Sequence, residues 1–180
     1  MRIILDMDEV LTDFVGGALK IHGWQRKDFE KIHPKGKWSM IETLGLSVEE
    51  FWEPIHYEGS AFWANLELLP WASDLIHLIN DVADEWFLVS SPSLDESCHT
   101  GKIRWARERD LENRLIVTRY KYLFAQPDVL LIDDRASTVN VFIEYGGEGI
   151  IFPTLHNGLH RYKNDPISYL KTTDLIGRTK

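Results

Sequence analysis

Short apolar runs separated by longer amphipathic stretches set the pattern of this chain. Ile3-Ile4-Leu5, Trp86-Phe87-Leu88-Val89, Leu115-Ile116-Val117 and Val129-Leu130-Leu131-Ile132 are apolar at every position. Runs of that length without alternation predict strands buried on both faces, as in a parallel sheet covered by helices on either side. They place strands at 2–6, 86–90, 115–118 and 129–133, with a further one at 149–152. Between them the period lengthens. Val10, Phe14, Ala18 and Ile21 fall near helical spacing and predict a helix over 10–22. Helices are also expected over 71–83, just after Pro70, and over 96–109 and 136–145. Strands alternating with helices predict βαβ units and an α/β fold.

The rhythm breaks between 23 and 69. That stretch carries Trp24, Trp38, Phe51, Trp52, Tyr57, Phe62 and Trp63, with short helical segments such as Val48 to Ile55. An aromatic insert after the first strand–helix unit is placed to cap the sheet's carboxyl edge. The expected organisation is therefore a core of residues 1–22 and 70–180 and a small helical cap of residues 23–69. The segment from 153 onward is polar and irregular, and is expected to wrap the surface.

The strands end in polar residues. The first runs into Asp6-Met7-Asp8, the second into Ser90-Ser91-Pro92, the third into Thr118-Arg119-Tyr120-Lys121 and the fourth into Asp133-Asp134-Arg135. Open α/β sheets bind ligands outside the carboxyl ends of their strands, so these groups are expected to converge. A lone Asp pair there would be read as a helix cap worth roughly 1 kcal/mol. Four gathered carboxylates are costlier, since each like pair about 4 Å apart costs on the order of 4 kcal/mol at an effective dielectric near 20. Such a cluster needs a cation, and an all-oxygen donor set points to magnesium. The seven histidines and the single Cys98 offer no zinc set, and His156 with His160 is read as a surface or local hydrogen-bonding pair.

A magnesium site beside hydroxyls and a lysine suits phosphoryl transfer. Asp6, at the end of its strand, is best placed as a covalent nucleophile. Asp8, two residues on, is placed to protonate a leaving alcohol and then activate water. Lys121 would neutralise phosphate charge, and the serine hydroxyls would fix its oxygens.

Composition narrows the partners. The chain has 180 residues, 44% of them hydrophobic, enough for one domain with a lid. Its 28 acidic residues outnumber 20 Lys and Arg, giving a net charge of −8, which disfavours a polymeric nucleic acid. No run is long enough to span a bilayer. The start passes straight into a strand with no signal-peptide pattern, and the lone cysteine fits a reducing compartment, so a cytoplasmic protein without a membrane partner is expected.

The ordered set Asp6-x-Asp8, Ser90, Lys121 and Asp133-Asp134 resembles the haloacid dehalogenase (HAD) superfamily of aspartate-based phosphohydrolases. Finer detail is similar to one branch, the 5'(3')-deoxyribonucleotidases: Val10-Leu11 with Asp13-Phe14, Ser90-Ser91-Pro92, Lys102 with Trp105, Ile116 to Lys121, Leu131 to Arg135, and Phe152 to His156-Asn157. The resemblance implies a Rossmann-like parallel sheet with a small helical cap. It also implies Mg2+-dependent hydrolysis of (deoxy)nucleoside monophosphates through an aspartyl-phosphate. It assigns Asp6 as nucleophile and metal ligand, and Asp8 as general acid/base and a ligand through its backbone carbonyl. Asp133 and Asp134 become the acidic pair at the metal, and Ser90, Ser91 and Lys121 the phosphate binders. Phe14, Trp38 and Trp52 align with positions that hold base and sugar, where a stacked ring contributes roughly 1–3 kcal/mol. Glu9 stands where the familiar pattern has glycine. The partner implied is a small nucleoside monophosphate, with a homodimer left open. The alternatives are a HAD phosphatase of another small phosphate ester and a phospho-receiver module.

Overall fold

A computed structural model of the chain describes residues 1–174 and 176. Its sheet has five parallel strands: β1 (Arg2–Leu5), β2 (Glu85–Ser90), β3 (Leu115–Val117), β4 (Val129–Asp133) and β5 (Glu148–Ile151), in the order β3-β2-β1-β4-β5. β1 is central. Ile3 lies opposite Trp86 and Leu130, and Leu5 opposite Leu88 and Ile132. Successive side chains on a strand face opposite ways. Ile3 and Leu5 join a large apolar cluster with α1 (Phe14–Ile21), α6 (Ala72–Val82) and α7 (Ser97–Arg107). Ile4, Val89 and Leu131 join a smaller one beneath α8 (Ala136–Glu144). Helices on both faces explain why no strand alternates. The chain builds outward from β1 to β3, then returns to build β4 and β5 on the other side. The reversal opens a crevice at the carboxyl ends of β1 and β4.

The first helix begins at Phe14, not at residue 10. Residues 7–13 form a tight turn in which the Met7 carbonyl accepts from the amides of Leu11 and Thr12, both at 2.9 Å. Val10 and Leu11 are apolar because this turn folds into the core, a role that mimics helical spacing. Glu9 holds the turn with φ +60°, a left-handed conformation that costs a side-chain-bearing residue roughly 1–2 kcal/mol. Asp13 then caps α1, its carboxylate accepting from the Gly16 amide at 2.7 Å.

The insert holds four helices: α2 (Arg26–Ile32), α3 (Met40–Leu44), α4 (Val48–Glu58) and α5 (Ser60–Ala64). α4 starts at a reciprocal cap between Ser47 and Glu50 and stops at Gly59, whose φ is +61°. Phe29, Phe51, Ile55, Phe62 and Trp63 belong to the same apolar cluster as Ile3 and Leu5. α5 lies directly on α7 at Gly101, where a Cβ would come within 2.4 Å of the Trp63 Cβ and 2.5 Å of the Ser60 carbonyl.

The segment from 153 onward does not simply wrap the surface. Thr154, Leu155, His156 and Asn157 are buried, and α9 (Pro166–Lys171) sends Leu170 into the core. The Asn157 amide donates to the carbonyls of Asp134 at 2.8 Å and Phe152 at 2.7 Å, which explains how polar residues came inside. Residues 175 and 177–180 of this segment lie outside the described residues. Among the described residues no helix is long and apolar enough to cross a membrane.

Candidate active site

The crevice is furnished by the strand ends. Asp6 follows β1 and is still in register, its amide donating to the Ile132 carbonyl at 2.9 Å. Asp133 ends β4 and Asp134 follows it. Carboxylate oxygens of Asp6, Asp133 and Asp134 lie within 4.8 Å of one another. Lys121, in the 3-10 turn Lys121–Phe124 after β3, reaches in with its ammonium 2.6 Å from Asp6 and 2.7 Å from Asp133.

Burial raises the pKa of Asp6 to about 7; Lys121 opposes the rise, while Asp133 and Asp8 add to it. Burial, then Asp133, Asp6 and Glu9, push Asp134 well above the usual carboxylate range. Burial works against the Lys121 charge, but Asp6 and Asp133 outweigh it and hold that pKa above the ordinary lysine value. A single lysine thus faces three carboxylates, which cannot all be ionised together without a further cation. Three converging oxygens with no nitrogen or sulfur donor fit a hard divalent cation.

The sequence led to four gathered carboxylates; the structure gathers three. The Asp8 carboxylate turns aside to pair with the Lys102 ammonium and accepts from the Thr12 hydroxyl at 3.2 Å. Lys102 is fully buried and also donates to the Ser90 hydroxyl at 2.6 Å and the Ser91 carbonyl at 3.2 Å. The sequence linked Lys102 only to a resemblance and gave it no role. Its signal was a lysine on the buried face of α7 among Cys98, Gly101, Trp105 and Ala106.

Above the carboxylates opens a cavity of about 1050 Å³. Asp6, Asp8, Ser91, Lys121, Asp133 and Asp134 line its base, and Phe14, Trp38 and Trp52 its walls. Ser90 lies behind the wall, bound to Lys102. Phe14 stacks on Trp63 at 5.6 Å and meets Trp52 at 6.0 Å, so these rings form one aromatic face. Trp38, about half exposed, stands at the rim with the Arg135 guanidinium 5.4 Å from its ring centre.

His156 also lines the cavity and is buried, not on the surface. Its Nδ1 lies 3.1 Å from Nε2 of His33, which donates to the Lys37 carbonyl at 2.8 Å. Burial, assisted by His33 and Arg26, lowers the His156 pKa to about 4. Glu9 is the second group whose part was not foreseen. Its carboxylate, buried, accepts from the Val15 amide at 2.8 Å and pairs with Arg26 at 3.3 Å.

No family model matches the chain. It is similar to human 5'(3')-deoxyribonucleotidase, cytosolic type, at 29% identity, covering 87% of this chain and 82% of the relative. Among solved structures it is similar to a HAD family hydrolase from Deinococcus radiodurans holding phosphate and sodium, with a TM-score of 0.61 and 12% identity over 99% of this chain and 97% of that one. A haloacid dehalogenase-like hydrolase from Xanthomonas campestris gives a TM-score of 0.56 at 14% identity over 99% and 94%. The chain thus has the fold of haloacid dehalogenase-like hydrolases. Its sequence is similar to a 5'(3')-deoxyribonucleotidase over most of its length.

Proposed function

We propose that the chain is a Mg2+-dependent 5'(3')-deoxyribonucleotidase that hydrolyses (deoxy)nucleoside monophosphates through an aspartyl-phosphate on Asp6. The carrying observation is the Asp6–Lys121–Asp133–Asp134 cluster at the base of an aromatic-walled cavity. The volume of about 1050 Å³ suits a nucleotide far better than bare phosphate.

In this reading the Asp6 carboxylate attacks phosphorus and the bond to the leaving oxygen breaks. Asp8 gives that oxygen its proton. Asp8, then ionised, takes a proton from water as the water attacks the phosphorus on Asp6, freeing phosphate, restoring the Asp6 carboxylate and returning Asp8 to its acid form. Lys121 and the Ser91 region hold the phosphoryl oxygens, while Lys102 and Thr12 fix the direction of the Asp8 carboxylate. Asp6, Asp133, Asp134 and the Asp8 backbone carbonyl would hold the cation. When bound it would supply charge neutralisation to the phosphoryl group. Phe14, Trp38 and Trp52 would hold the nucleoside by stacking. The human relative is a cytosolic type by name, which supports action in the cytoplasm.

The test is phosphate release over a panel of deoxynucleotides, ribonucleotides and sugar phosphates, with Mg2+ and with chelator. Turnover of nucleoside monophosphates that stops on chelation is expected. Turnover of a non-nucleotide ester alone would instead favour a related phosphatase of different substrate. A stable phospho-protein without turnover would favour a receiver module.

A further inference from the structure

Glu9 is an oddity with a visible purpose. A carboxylate side chain stands in a left-handed turn of the kind that favours glycine, close enough to the carboxylate cluster to act on Asp134. It is kept there by two contacts that glycine lacks. One is the Val15 amide at the start of α1, at 2.8 Å. The other is the guanidinium of Arg26, the first residue of α2, at 3.3 Å. The same guanidinium also pairs with Asp13, the cap of α1, and with Glu30 one turn along α2 at 3.2 Å. Arg26 therefore ties the start of the insert to the middle and the end of the turn that carries Asp8.

From Arg26 a continuous set of contacts leads to the cavity wall. α2 ends at His33, whose ring bonds the Lys37 carbonyl at 2.8 Å and the Thr43 hydroxyl at 2.9 Å. Those two bonds bracket the loop that carries Trp38 and Met40 into the cavity. Glu30 also takes the Lys163 ammonium at 3.1 Å, bracing α2 from the C-terminal segment.

We propose that Glu9 and Arg26 form a clasp that positions the inserted segment over the nucleoside end of the cavity, making both of them positioning residues for substrate binding. Asp6 and Asp133 hang on the sheet and Lys121 on the segment after β3, so that carboxylate–lysine cluster does not need the clasp. The substrate part of this inference rests on the nucleotidase reading; the positioning part does not.

The test compares the wild-type protein with Glu9→Gly, Arg26→Leu and the double variant. Glu9→Gly relieves the left-handed backbone and is expected to fold even if Arg26→Leu, which leaves two carboxylates uncompensated, does not. Two readouts separate the claims. Amide hydrogen exchange in α2 through α4, measured without any substrate, should quicken roughly tenfold in Glu9→Gly and stay unchanged in the sheet, as for loss of a partly buried charged hydrogen bond. KM for a deoxynucleoside monophosphate should rise roughly tenfold with a smaller change in kcat, while KM for para-nitrophenyl phosphate, which lacks a nucleoside, should hold within about twofold. The double variant should fall well short of the sum of the singles, because the Glu9–Arg26 link is lost in both. Unchanged exchange in Glu9→Gly, equal KM increases for both esters, or fully additive effects in the double variant would each overturn the clasp. If the wild-type protein turns over no nucleotide, the nucleotidase reading fails, and the exchange result alone still decides whether the clasp exists.

Discussion

The base and the walls of the cavity are built by different means. At the base, Asp6 and Asp133 sit at the ends of adjacent parallel strands, locked by the hydrogen-bond ladder, and Lys121 follows β3 within a few residues. At the walls, Trp38, Met40 and Trp52 come from short helices and loops held by side chains: the Glu9–Arg26 pair, the His33 bonds and the Ser47–Glu50 cap. Backbone pairing places the carboxylates, and side-chain contacts place the rings. Substitutions at the base should therefore change rate, and substitutions at the walls should change affinity.

The largest expected effect is at the base. Asp6→Asn should remove turnover, a loss of roughly 10⁴-fold or more in kcat, with an unchanged thermal unfolding midpoint or a raised one, since a buried charge is removed. Near-normal steady-state rates in that variant would break the division at its root. Lys121→Ala should lower kcat about 10²- to 10³-fold and weaken phosphate inhibition, the scale of losing one preorganised group at a developing charge. Trp52→Ala should sharpen the contrast from the other side: KM for a nucleoside monophosphate should rise roughly fivefold to a hundredfold, as for one lost stacking contact, with a smaller change in kcat. A kcat loss as large as that of Lys121→Ala would erase the distinction.

The smallest effect is on stability. His156 is neutral when folded, with its pKa lowered to about 4 by burial. Unfolding restores a value near 6.5, so between those two pH values the unfolded chain binds more protons and stability from this group falls as pH falls. Relative to His156→Asn, the wild-type protein should lose on the order of 1 kcal/mol more between pH 7 and pH 5. Chemical denaturation of both proteins at the two pH values measures it. An equal loss in both would remove His156 as the source.

The same division explains what the sequence disclosed. Strands buried on both faces are apolar throughout, and their ends carry charges that a core would not tolerate, so Leu5-Asp6 and Ile132-Asp133 announced both the sheet and its chemistry. Helices α2, α3 and α5 have seven, five and five residues, too short for a periodic signal, and α2 has no side-chain cap of its own. Val10 and Leu11 imitated a helix because a buried turn also needs apolar side chains. The burial of His156 and Asn157 depends on distant carbonyls and a second histidine, which no local pattern encodes. Asp8 and Ser90 were identified from position alone; that Lys102 would bind both follows from α7 crossing behind them.

The contact at Gly101 carries a consequence for how a substrate gets in. With hydrogen as its side chain, this residue lets α5 rest on α7 almost backbone to backbone. Outward swing of that limb would open a gap along the whole seam, and the limb from Arg26 to Glu58 is itself anchored by Phe29, Phe51 and Ile55 in the same apolar cluster. A substrate would have to enter without undoing either anchor, past the half-exposed ring of Trp38.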